Sequence, residues 1–225
     1  MLSEMKMSHT RLIRWGGLSM ILGGIAIVVH YFTHPAGETA QYALQPLWGL
    51  SHWLGFIAPL LILFGLVAVY ARQSEKTGWL GLIGFMLATA GNAAYAGGQL
   101  YFGAVLQPFI ARQAPEWLDA NSPLLSSVAF RASELFTYLP LLLGFLFLGI
   151  ASLRADLLPR LGNWLIMLLF PVGVVGLAFI GSPLQGFLQI LVGVMWGLGL
   201  LVWGYALFSE KGQVVAQAMP AATPC

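Results

Sequence analysis

Apolar residues run almost unbroken over six stretches of this chain: Trp15 to Phe32, Trp48 to Ala71, Trp79 to Ile110, Leu124 to Leu153, Leu161 to Ile180 and Gln185 to Phe208. About 20 mostly apolar residues carry a helix across a hydrocarbon core of ~30 Å. A helix also satisfies its own backbone groups, which lipid demands. The pattern predicts an all-α protein: a bundle of six transmembrane helices forming one domain over residues 1–211. Residues 212–225 are small, polar and contain proline, and are expected to be a disordered tail.

Composition sharpens that expectation. The chain of 225 residues is 59% hydrophobic and 8% charged, against roughly 25% charged in a soluble domain, too few charges to cover a water-facing surface. A net charge of +2 with dispersed basic residues argues against nucleic acid as a partner. Cys225 is the single cysteine, so no internal disulfide can form, and as the last residue it does not match the prenylation box.

The basic residues fall on alternate connections. Lys6, Arg11 and Arg14 precede the first stretch, Arg72 and Lys76 separate the second from the third, Arg154 and Arg160 separate the fourth from the fifth, and Lys211 follows the sixth. The other loops carry Arg112 alone, with Arg131 inside the fourth stretch. Basic residues near helix ends are retained in the cytoplasm, so both termini are expected there. The first stretch has the basic flank of a secretory signal peptide but lacks a clear small-x-small cleavage site, and is read as a helix that stays.

Helix ends hint at internal repetition. Pro-Leu introduces each even-numbered stretch, at Pro46, Pro123 and Pro183, and a basic residue with a nearby glycine introduces each odd one: Arg14 with Gly16, Lys76 with Gly78, Arg160 with Gly162. Three repeated helical hairpins would produce this pattern. So would the general preference for proline at outer helix starts and basic residues at inner ends. Gly193 and Gly197 form a small-xxx-small pair suited to close helix contact. Pro59, Pro140 and Pro171 are expected inside helices, with kinks. The third and fourth helices, about 30 residues or ~45 Å each, must tilt or project beyond the bilayer.

Polar residues within a bilayer usually face a bundle interior or a water-filled cavity. Ser127, Arg131, Glu134 and Tyr138 share one face of the fourth helix, and Asn92, Tyr95 and Gln99 one face of the third. Folding the intervening hairpin about residues 116 and 117 brings Gln99 level with Glu134 and Tyr95 level with Tyr138. Arg131 and Glu134 can pair along their own helix. Gln185 and Gln189, with Trp48, Trp53 and Trp117, are further candidates to line an outward-facing pocket, although interfacial aromatics are expected in any case.

His30, His34 and His52 gather toward the same outer side, and folding the first loop about its middle brings His30 level with His52. Imidazoles can ligate zinc or haem iron or move protons, which makes this cluster the candidate site for a metal or haem b. Pro35 disfavours helical geometry at His34. No cofactor is firmly implied. No Gly-rich phosphate loop, Ser-centred nucleophile elbow or His-Glu-x-x-His zinc helix is present.

The segment Leu141 to Leu165, LLLGFLFLGIASLRADLLPRLGNWL, resembles the helix, short loop, Leu-Pro-Arg-x-Gly and helix pattern of a family of bacterial multi-pass membrane proteins of unknown function. Arg11 to Gly24, RLIRWGGLSMILGG, is similar as well. The resemblance implies a bacterial inner-membrane protein and supplies neither activity nor site residues.

The expected function is a non-enzymatic membrane protein with an outward-facing polar pocket, formed by Arg131, Glu134, Gln99, Tyr95, Tyr138 and Asn92. It would bind a small molecule or lipid, or serve as an accessory subunit in contact with other membrane subunits or a second copy. Two alternatives stand beside it: a haem- or metal-dependent membrane enzyme using His30 and His52, and a small-solute transporter.

Overall fold

A computed structural model describes residues 2–119, 121–179 and 182–209, and these are helical throughout apart from short connections. The helices are α1 (Leu2–Thr33), the short α2 (Ala40–Ala43), α3 (Pro46–Gly97), α4 (Gln107–Gln113), α5 (Val128–Ala155), α6 (Arg160–Ala178) and α7 (Gln185–Ser209). A π-helix at Gly98–Leu106 joins α3 to α4, and a 3-10 turn follows at Pro115–Leu118. Residues 212–225, with Lys211 before them, lie outside the described residues.

Five helical stretches are long and apolar enough to cross a membrane. The second, Pro46–Gln113, runs for 68 residues, about 100 Å at 1.5 Å per residue, far more than one crossing needs. It is divided at Gly78, whose φ of 54° and ψ of −150° lie outside the helical region. A side chain would be strained there, so glycine allows the chain to turn back within one residue. Contacts pair residues symmetrically about that point. The Tyr70 and Phe85 rings stack with centroids 4.7 Å apart, Gly55 lies against the Gln99 amide, and the Trp48 indole donates to the Gly103 carbonyl at 2.8 Å. The two arms of α3 are therefore antiparallel neighbours, and the bundle contains six long helices. The loop expected at residues 72–78 is absorbed into helix almost completely.

Each long helix packs antiparallel to its neighbours, closing a ring in which α1 lies between the first arm of α3 and α7, and α5 between the second arm of α3 and α6. Glycines set the close approaches. A Cβ built on Gly24 would stand 2.8 Å from the Gly197 carbonyl oxygen, and one on Gly17 2.7 Å from that of Gly204, across the α1–α7 seam. Gly84 meets the α5 backbone at Leu148 in the same way. Trp196 fills the axis, its ring 6.0 Å from Tyr95 and 5.7 Å from Phe145. Facing outward are bulky apolar side chains such as Trp15, Phe64, Trp79 and Phe187, each more than 60% exposed. Apolar area on that scale suits lipid and not water.

Arg14, Arg72, Lys76, Arg154 and Arg160 gather at one end of the ring, where Arg14 sits 5.5 Å above the Phe208 ring. At the opposite end a small second core of Ala43, Trp48, Ala111 and Leu118 joins α2, α4 and the 3-10 turn to the bundle. α5 begins at Val128, later than the apolar pattern suggests, because Ser127 caps it by accepting from the Phe130 amide at 3.1 Å. Pro59, Pro140 and Pro171 all lie inside helices.

Candidate functional site

The end poor in Lys and Arg holds two adjoining cavities. The inner chamber, of about 160 Å³, is walled by His30, Tyr31, Tyr95, Gln99, Tyr138 and Trp196, with His34, Glu38, Gln185, Gln189 and Leu, Val and Gly residues completing it. The outer vestibule, of about 850 Å³, lies between α5 and α6, above the contact of Leu142 with Gly173. Glu38, Tyr138, Leu177 and Gln185 line both spaces. Trp196 sits eleven residues into α7, so the chamber reaches roughly 16 Å along that helix, about half the hydrocarbon thickness.

His30 is the anchor of the chamber wall. Only 2% exposed, it places Nδ1 2.8 Å from the Ser51 carbonyl oxygen and Nε2 2.9 Å from the Tyr95 hydroxyl. A carbonyl oxygen can only accept, so the proton belongs on Nδ1 and the Nε2 lone pair accepts from Tyr95. His52 donates from Nδ1 to the Trp48 carbonyl oxygen, one turn earlier on its own helix, at 2.9 Å. Nδ1 of His34 lies 2.8 Å from the Pro35 carbonyl oxygen and 3.0 Å from the Gln189 amide.

The three imidazoles do converge, with ring centroids 4.9 Å (His34 to His52), 5.3 Å (His30 to His34) and 6.5 Å (His30 to His52) apart. Their Nδ1 atoms are held by backbone carbonyls, which orients the rings, and in His30 the Nε2 is engaged as well. Among the described residues no group of three or more His, Cys, Asp or Glu side chains is arranged to hold a metal ion. For His30 to ligate zinc or haem iron, Tyr95 would have to release its Nε2.

Tyr95 and Tyr138 come level as the hairpin register requires, their ring centroids 6.1 Å apart. Gln99 and Glu134 do not share a space: Gln99 lines the chamber, Glu134 and Arg131 the vestibule. Among the described residues Arg131 and Glu134 form no ion pair, and both are exposed. Asn92 lines neither cavity. It is fully buried and donates to the Ala88 carbonyl one turn earlier at 2.7 Å. Ser127 is occupied with its cap. Gln185 and Gln189 do line the chamber, whereas Trp48 is buried against His52, with rings 4.2 Å apart. Trp53 and Trp117 lie on the surface, each about half exposed.

Several lining residues escape a reading of the sequence alone. Tyr31 and Trp196 look like ordinary apolar positions of their helices. Glu38 carries no helical periodicity to mark it, yet its carboxylate accepts from the buried Gln107 amide at 3.0 Å and ties the first loop to α4. The π-helix widens the backbone from Gln99 onward, a distortion common at functional sites. Its signal was present: Pro108 has no N–H for a helical hydrogen bond, and Gly97, Gly98 and Gly103 precede it. No protein-family model, no curated protein and no solved structure matches this chain.

Proposed function

We propose that this chain is an integral protein of a bacterial cytoplasmic membrane that binds a small amphiphilic molecule or lipid without transforming it. Both termini lie in the cytoplasm and the cavity opens toward the other side. The observation that carries this reading is the pair of adjoining cavities at the end poor in Lys and Arg, walled by five of the six long helices, with the sixth supporting His30 through Ser51. Sites of 300–1,000 Å³ with a few convergent polar groups on an apolar wall are the usual form of small-molecule pockets. The basic cluster at the other end supports the orientation, and the three successive hairpins, each opened alike, support an origin by triplication.

Gly176 lines the chamber, and a Cβ built on it meets nothing within 4 Å. Protein purified in mild detergent should retain an amphiphile in about one-to-one amount, detected by mass spectrometry of an organic extract. Gly176→Leu should lose it while melting at the same temperature. Identical extracts from both proteins would refute the reading. Orientation is tested separately: a membrane-impermeant maleimide should leave Cys225 unlabelled on intact cells and should label Glu38→Cys in a Cys225→Ser background.

A further inference from the structure

We infer that the ligand is an uncharged amphiphile whose head is a single oxygen-bearing ring, of the benzoquinone or hydroquinone type, seated in the inner chamber with its apolar tail leaving through the vestibule between α5 and α6. This rests on the cavity reading above and specifies its ligand.

Four observations converge. The first is polarity. Hydrogen-bonding side chains lie deep, at His30, Tyr95 and Gln99, with Tyr138 at the junction, whereas the outer space, although Arg131 and Glu134 stand on it, is walled mainly by Leu, Phe and Val, among them Leu135, Leu139, Phe170, Val174 and Leu177. A ligand matched to this gradient puts its head inward and its tail toward lipid. An amphiphile anchored by its head at the membrane surface would run the other way.

The second is charge. No Lys or Arg lines the chamber, and the one carboxylate, Glu38, stands where chamber and vestibule meet, held by Gln107. A phosphate or ammonium head would be desolvated there without a counter-charge, at a cost of several kcal/mol. Arg131, which could offset a phosphate, is on the vestibule side.

Size is the third. A space of about 160 Å³ is close to the ~150 Å³ that takes one benzene ring. The fourth is the aromatic lining. Ring pairs around the chamber meet edge to face, with interplanar angles of 82° for His30 and Tyr95, 63° for Tyr95 and Tyr138, and 69° for Tyr95 and Trp196. The wall a ring-shaped guest would meet is therefore largely aromatic, and aromatic rings favour edge-to-face contact with one another.

Calorimetric titration of the full-length protein in dodecylmaltoside tests this with three probes: decyl-benzoquinone, decanol and dodecylphosphocholine. The quinone probe should bind saturably at one site and at least tenfold more tightly than the other two. Gly176→Leu should weaken it tenfold or more, and Leu177→Trp, on a partly exposed lining position, provides a second block should the first variant misfold. Gln99→Leu and Tyr138→Phe should weaken the quinone alone, by several-fold. Decanol or dodecylphosphocholine binding as tightly as the quinone, and blocked by the same variants, would overturn the ring-head inference and leave the cavity reading intact. If no probe binds saturably, or the blocking variants change nothing, both fail.

Discussion

The two ends of the bundle use the same residue types to opposite effect. At the basic end, polar side chains lock helices together: Ser152 donates to Gln73 at 2.8 Å, and the Trp203 indole donates to Asn163 at 2.8 Å, all four being 1% exposed or less. Gly17 and Gly204 press directly on each other's backbones there. At the opposite end, polar groups outnumber their mutual bonds, the walls enclose the two cavities, and Gly176 faces open space. Gly17 and Gly204 close one end, and Gly176 leaves room at the other. What decides a glycine's role is the spacing of the helices, because small residues favour approach only where a facing backbone exists to be approached.

That contrast can be broken by substitution, and thermal unfolding in detergent ranks the effects. Gly17→Leu should be the most damaging, since even a Cβ would stand 2.6 Å from the Phe208 amide nitrogen. Overpacking against backbone costs about 3 kcal/mol or more, and the variant should elute as aggregate. Asn163→Leu removes the acceptor for Trp203 and the bond from its own amide to the Leu158 carbonyl, an expected loss of about 1–2 kcal/mol. Ligand retention in the surviving fraction should be unchanged.

Tyr95→Phe, at the open end, takes away one hydrogen bond and leaves His30 Nε2 unpaired, for about 1 kcal/mol. Nitrogen-15 spectra should show the Nε2 signal of His30 moving while Nδ1 stays. Gly176→Leu should alter stability least, within about 0.5 kcal/mol, and ligand retention most. Were Gly176→Leu as destabilising as Gly17→Leu, the two ends would be packed alike and the contrast would be lost.

Much of this architecture was legible residue by residue. Register within a hairpin follows from the 1.5 Å rise and the position of the turn, which is why His30 and His52, or Tyr95 and Tyr138, could be paired on paper. The uses of those residues could not. His52 gives its Nδ1 proton to the Trp48 carbonyl, which orients the ring, and Asn92 turns back to Ala88, uses of a backbone acceptor one turn away that residue spacing does not reveal. The expected pairing of Arg131 with Glu134 is absent among the described residues, since both lie beside open space. Gly78 stands at the edge of an expected loop, and only the folded arms show that one residue suffices to reverse the chain.

Hydropathy and charge placement, both local properties, were enough to establish lipid as the solvent, the number of long helices and the grouping of basic residues at one end. The closing of the helices into a ring and the cavity left where α5, α6 and α7 part belong to tertiary structure. Such a space is bounded by side chains remote in sequence, from His30 to Trp196, and its volume is what remains after every pair of neighbours has packed, a quantity no single segment encodes.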